Sequence, residues 1–237
     1  MISEFVGLLV ISFRKLGFKV VKFFVPELVG FNTTYSERKI TYELGCLSDI
    51  SDRLGFIAPD VTLYYPMIVT KPENVFLHEN THIWNGSTIL IHSARFIMKK
   101  NSGAAQGLMV ITGNHTSRVG VLFKDLINVQ DVEKDVTVEE DVWIGANVTL
   151  LAGVVVGRGS IIGAGTVCRR SNPPYSIVVG NPAKIVGFRF TPDEIIAHEE
   201  VLYDYSERIS KDILLKNYNK YFVDSLSNIT DFIKPSF

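Results

Sequence analysis

Asp141-Val-Trp-Ile-Gly-Ala-Asn-Val-Thr-Leu150-Leu-Ala-Gly-Val-Val-Val-Gly-Arg-Gly-Ser160-Ile-Ile-Gly-Ala-Gly-Thr-Val-Cys168 has a period of six residues, and that period decides the fold. Stepping by six from Val132 gives Val132, Val138, Ile144, Leu150, Val156 and Ile162, with Cys168 closing the series. Four residues after each of the six stands another small or β-branched side chain: Val136, Val142, Val148, Val154, Ser160 and Thr166. Glu or Gly directly follows most of the leading residues, as Glu133, Glu139, Gly145, Gly157 and Gly163. Strict short periodicity marks a solenoid, in which no repeat buries its apolar face alone and each stacks on the next.

The residue types explain the hexad. A leading β-branched aliphatic suits a short strand facing a narrow core. The small residue four places on sits at a tight corner. Gly reaches corner backbone conformations with positive φ that other residues adopt only at a cost. Three hexads complete one triangular turn, so like positions stack coil upon coil. An amphipathic helix needs apolar residues at i, i+3, i+4 and i+7. It would also lose about 0.8–1 kcal/mol at each internal Gly.

Working outward, the first coil is expected near Ile57-Ala-Pro-Asp-Val-Thr, with imperfect hexads through Leu77, Ile83 and Ile89. A three-residue shift follows, and the period resumes at Met98, Ala104 and Val110. Residues 113–131 break it and are expected to protrude as a loop, where a rigid scaffold commonly carries function. Pro173-Pro174 and Pro182 mark turns. Thr191-Pro-Asp-Glu194 reads as a helix start, with a Thr cap, Pro at the first position and acids in the first turn. Residues 191–222 are expected to be helical and to cover an end or edge of the solenoid, with a frayed terminus beyond.

Residues 4–25 read as an amphipathic helix. Phe5, Leu8, Leu9, Phe13, Leu16, Val20, Phe23 and Phe24 recur at helical spacing, and Lys15, Lys19 and Lys22 share one face. Two roles fit: a helix packed on a neighbouring subunit or the solenoid end, and a peripheral membrane-surface helix. The expected organisation is an N-terminal helical and irregular segment over 1–54, a β-helix domain over 55–188, and a helical tail over 189–237.

Composition narrows the function. The net charge is −1, with acids and bases interspersed, which argues against a nucleic-acid partner. Cys46 and Cys168, the only two cysteines, form neither a disulfide framework nor a CxxC pattern. A reducing compartment is therefore expected. No apolar run is long enough for a transmembrane helix, and Met1-Ile-Ser-Glu lacks the basic start of a secretory signal. The location expected is cytoplasmic, with the inner face of the membrane as the alternative that the 4–25 helix raises. His78 and His82 have the i, i+4 spacing of a helical zinc pair but fall in a strand-and-corner region, so no metal site is expected.

The stretch above, together with Asn172-Pro-Pro-Tyr and Gly180-Asn-Pro-Ala-Lys-Ile-Val, resembles the hexapeptide-repeat acyltransferases over roughly residues 55–190. It looks like the acetyl-CoA half of the galactoside and maltose O-acetyltransferases, and equally of the xenobiotic acetyltransferases. The resemblance implies an all-β solenoid, a left-handed parallel β-helix, although the usual crossover rule favours the other hand. It also implies acetyl-CoA as acyl donor and a homotrimer with active sites between neighbours. An acetyl-CoA-dependent O-acetyltransferase acting on a sugar or polysaccharide precursor is expected first. A xenobiotic O-acetyltransferase, an N-acyltransferase for a nucleotide-linked amino sugar, and a non-catalytic solenoid scaffold are the alternatives.

By the same resemblance His115, in Thr-Gly-Asn-His-Thr at the mouth of the loop, is the general base. A sugar hydroxyl is a poor nucleophile at neutral pH, and an imidazole of ordinary pKa about 6.5 can take its proton during attack on a thioester. Asn85, Ser93 and Asn114 are expected on the acceptor side, with His92 bordering it. Ser93 stands where the family carries an acceptor-binding Asp, so the pocket has lost that carboxylate. Trp143, Gly145, Ala146, Gly163 and Ala164 are expected to face the cofactor arm, with Arg169, Arg170 and Lys184 offering cations to its phosphates.

Overall fold

The computed structural model describes residues 49–126 and 132–223. The helix expected over 4–25 lies outside the described residues. The remainder is an all-β solenoid, a left-handed parallel β-helix, with two helices after it.

Short strands of two to four residues build three parallel faces. The first face stacks Phe56–Ile57, Val75–Leu77, Phe96–Met98, Val136–Val138 and Val155–Val156. The second stacks Thr62–Leu63, His82–Ile83, Gly103–Ala104, Trp143–Ile144, Ile161–Ile162 and Ser176–Val179. The third stacks Ile68–Val69, Thr88–Leu90, Met109–Ile111, Thr149–Leu150 and Val167–Cys168. Two-residue strands hold because each is hydrogen-bonded to a neighbouring coil, on both sides within the middle of the stack, and most contribute a side chain to a shared core. Leu77, Met98, Val138 and Val156 form one inward column, Ile83, Ala104, Ile144 and Ile162 a second, and Ile89, Val110, Leu150 and Cys168 a third, all at most 2% exposed. Burying each large aliphatic contributes about 1.5–3 kcal/mol, against about 1–2 kcal/mol per residue of backbone entropy lost. A single coil therefore gains little by itself.

Two details differ from the sequence reading. Val132 heads the six-residue series but is 55% exposed, in an antiparallel pair with Asn114. The stacked repeat starts at Val136. Periodicity of residue type cannot separate a valine that enters the stack from one that precedes it. The glycines after the leading residues also do a different job from the one expected. Positive φ falls instead at Asp141, Asn147, Gly153, Gly159 and Gly165, again six apart. Gly145 and Gly157 are small because the next coil passes close: an added Cβ would lie 2.7 Å from Ala164 N and 2.6 Å from Pro174 N respectively.

Two irregularities shape the third corner, where the third face turns into the first. The inward residues Ile89 and Met98 are nine positions apart rather than six, which inserts three residues there. One coil later the chain leaves the stack after Ile111 and returns at Val136, with Met98 and Val138 in register. Arg95–Asp135 at 2.6 Å, Lys99–Glu139 at 2.7 Å and Lys100–Glu140 at 3.8 Å cross this seam. Surface pairs of this kind contribute at most about 1 kcal/mol each, so they bias register more than they hold the coils together.

After Ser176–Val179 the chain turns back antiparallel as Lys184–Phe188. The helical tail is two helices, α1 (Pro192–Leu202) and α2 (Lys211–Tyr221). Thr191 and Glu194 form a reciprocal capping box with Pro192 in the first turn, as the sequence predicts. Buried Glu199 anchors α1: it accepts from Tyr175 Oη at 2.8 Å and Ile209 N at 2.7 Å, and meets Arg158 Nη1 at 3.3 Å. His198 packs against Tyr175 and Phe190 in the same cluster.

Candidate active site at two corners of the solenoid

The protruding loop opens with an antiparallel pair, Gly113–Asn114 against Val132–Glu133. This short ribbon carries His115 out of the third corner. The His115 imidazole is exposed and meets the Phe123 ring edge-on at 5.1 Å, Phe123 belonging to a 3-10 turn of the loop, Phe123–Asp125. An open pocket beside it is lined by Leu90, Ile91, His92, Ile111, Gly113, Asn114, His115 and Glu133. His92 and Asn114, which the sequence reading puts at the acceptor side, both line this pocket. Cys168 offers no nucleophile to either corner: it points into the core, and burial pushes its thiol up to about 11.

Ser93 does not line this pocket. Its N–H donates to Glu133 Oε2 at 2.6 Å and its hydroxyl to the same oxygen at 3.2 Å. Ala94 N donates to that oxygen too, at 2.7 Å. The three extra residues of the corner supply this cluster of N–H groups. Burial would raise the Glu133 pKa, but the donors of Ala94, Ser93 and His92 outweigh it and hold the carboxyl below its usual range. Glu133 is the residue that sequence reasoning missed. The hexad pattern hides it, because Val132-Glu133 matches the repeat in residue type although Val132 lies outside the stack.

The second corner, between the second and third faces, gathers a different set. Its backbone ladder runs through Gly107 N to Asn85 O at 3.1 Å, Asn147 N to Gln106 O at 2.8 Å and Gly165 N to Ala146 O at 2.8 Å. Asn85, Ala146 and Ala164 belong to this corner, with Gly145 and Gly163 leading into it. No side chain larger than a methyl projects from Gly145, Ala146, Gly163 or Ala164. Trp143 flanks this strip and is 62% exposed. Lys184 pairs with Val179 and is exposed, and Val179 sits one coil beyond Gly163. Arg169 and Arg170 are exposed on the far side of the third face, at the corner that bears His115.

The predicted residues therefore fall into two groups. Asn85, Trp143, Gly145, Ala146, Gly163, Ala164 and Lys184 share one corner; Ser93, Asn114, His115, Arg169 and Arg170 share another. A single chain does not bring His115 and Asn85 together. No helix among the described residues is long and apolar enough to cross a membrane.

Residues 135–170 match the family model for the bacterial transferase hexapeptide, six repeats. The match begins after Val132, at the point where the stack itself resumes. Among solved structures, the chain is similar to the hexapeptide-repeat-containing acetyltransferase VCA0836 of Vibrio cholerae, with a TM-score of 0.54 and 22% identity over 59% of this chain and 76% of that one. The same protein complexed with acetyl coenzyme A gives a TM-score of 0.56 and 20% identity over 64% and 84%. A maltose O-acetyltransferase from Clostridium difficile 630 gives 0.52 and 20% over 58% and 71%. Likeness at these identities carries the fold. No curated protein sequence matches the chain.

Proposed function

We propose that this hexapeptide-repeat chain is an acetyl-CoA-dependent O-acetyltransferase that acts on a hydroxyl of a sugar or polysaccharide precursor. The observation that carries the reading is an exposed histidine at the mouth of a pocket, on the same solenoid as a corner with a strip of Gly and Ala at its upper coils. The strip of Gly145, Ala146, Gly163 and Ala164 fits an extended pantetheine arm, and Trp143 and Lys184 suit the nucleotide and phosphate end. Acetyl-CoA supplies a thioester carbonyl open to attack.

His115 takes the proton of the acceptor hydroxyl as its oxygen attacks that carbonyl. When the C–S bond breaks, the imidazolium returns the proton to the departing thiolate. The acetyl group moves directly, so no residue of the chain need be acylated. Because His115 and the donor strip occupy different corners, the working site is assembled between copies of the chain, most simply in a homotrimer.

An acceptor screen with free thiol release as readout tests the proposal, using methyl glycosides, nucleotide sugars and streptogramin- or chloramphenicol-type antibiotics with a hydroxyl. Release with a glycoside, and its loss by a factor of about 10²–10⁴ in His115→Ala with donor binding retained, is the expected result. Undiminished turnover in that variant excludes the base.

A further inference from the structure

The pocket beside His115 contains one built-in anion. The Glu133 side chain is only 9% exposed, yet it forms part of the pocket wall. Its Oε2 is held from behind by Ser93 N at 2.6 Å, Ser93 Oγ at 3.2 Å, Ala94 N at 2.7 Å and Thr112 Oγ1 at 3.4 Å. Its Oε1 lies 3.9 Å from His92 Nδ1, on the side of Gly113. Among the described residues no lysine or arginine forms an ion pair with this carboxylate, and the His92 side chain is 85% exposed. A carboxylate fixed by backbone donors cannot swing out to solvent, so one of its oxygens is presented permanently at the pocket.

We propose that Glu133 is a specificity-determining residue for the acceptor: its Oε1 accepts a hydrogen bond from a second hydroxyl of the acceptor sugar, so the pocket takes neutral glycosides and rejects those whose ring carries a carboxylate. This deepens the acetyltransferase reading and rests on it. Ser93 has no carboxylate to offer and does not line the pocket; its N–H and hydroxyl instead hold Glu133, which comes from the returning strand forty positions later. Hydrogen bonds to an ionised acceptor are about twice as strong as neutral ones. A buried, unneutralised charge also repels a second anion over the few ångströms of a sugar ring. Leu90, Ile91 and Ile111 supply the apolar wall that a pyranose face covers.

Glu133→Gln tests this with little disturbance of the latch. The amide oxygen stays on the Ser93 and Ala94 N–H groups, which cannot face an NH2. The NH2 is therefore turned toward the pocket, converting an acceptor of hydrogen bonds into a donor. The probes are methyl β-glucopyranoside and methyl β-glucopyranosiduronate, compared by thiol release and, without acetyl-CoA, by saturation-transfer NMR. Wild type is expected to favour the neutral glycoside by about ten- to hundredfold in kcat/KM, and Glu133→Gln to lose most of that preference through acceptor KM. Equal discrimination in the two proteins, or no binding of either glycoside, overturns the assignment. Preferential binding that Glu133→Gln abolishes, without thiol release from any glycoside, keeps the carboxylate's role in binding and sinks the acetyltransferase reading instead.

Discussion

Gly113 and Glu133 are register partners across the two-residue ribbon that closes the base of the loop. A Cβ built on Gly113 would lie 3.1 Å from both Cγ and Oε1 of Glu133. The glycine is there for space, since its φ is not in the left-handed region. Gly113→Ala therefore presses on the carboxylate without straining the backbone. The expected result is a loss of about 1 kcal/mol, read as a Tm lower by about 2–4 °C, together with a raised acceptor KM. An unchanged KM would show that the carboxylate does not touch the acceptor.

The hexad glycines divide into two kinds, and substitution separates them. At Gly145 an added Cβ would meet Ala164 N at 2.7 Å and Ile162 O at 3.0 Å, both backbone atoms of the next coil. Neither can yield without parting the coils, so Gly145→Ala is expected to cost on the order of 3 kcal/mol. At Gly165 no atom lies within 4 Å of an added Cβ, but φ is +71°. Asp141 and Asn147 hold the same corner position with φ of 55° each. Gly165→Asn should therefore be nearly neutral, and Gly165→Val should lose about 1–2 kcal/mol. Chemical denaturation of the three variants reads the order directly.

The repeat was legible in the sequence because a solenoid writes its contacts at a fixed short spacing. Ile144 touches residues that share its place in the hexad, so periodicity of type is periodicity of structure. The capping box at Thr191 was legible for a similar reason, since all its parts lie within four residues. Glu133 was not legible. Its partners Ser93 and Ala94 are forty and thirty-nine positions away, set by a corner insertion and a loop whose combined length fixes the register. The two-corner split of Asn85 and His115 was hidden too. Which face a hexad occupies depends on counting through the shift after Ile89 and the loop after Ile111, and one miscounted hexad moves a residue by a full corner.

Acid should loosen the third corner. Glu133 and Asp135 both have carboxyls held below their usual range, Glu133 by the N–H donors of the corner and Asp135 by Arg95, in each case against burial. A depressed folded-state pKa stabilises the fold fully above the unfolded-state values of 4.5 and 3.8, and that stabilisation is lost as pH falls through the folded-state values. Stability should therefore be flat with respect to these two groups near neutrality and decline below about pH 4.5. Glu133→Gln, which keeps one oxygen on the latch and cannot titrate, should show a shallower decline. A wild-type and variant pair with parallel Tm-versus-pH curves below pH 4.5 would mean that the latch does not couple to folding.

Separation of His115 from Asn85 makes a prediction about mixtures. Suppose each working site takes its base from one chain and its donor corner from a neighbour. His115→Ala and Asn85→Ala are then each inactive or nearly so alone. In trimers assembled at random from equal amounts of the two, one chain with an intact His115 can face one with an intact Asn85. About one site in four would be whole, so about a quarter of wild-type turnover should return on mixing. If both residues served the same site from the same chain, every site in the mixture would carry one defect and nothing would return. Co-refolding the two variants, with sedimentation to verify that mixed oligomers form, distinguishes the cases. Recovered turnover assigns the site to the junction of two chains; its absence in verified mixed oligomers would return the donor to the third corner, where Arg169 and Arg170 are the available cations.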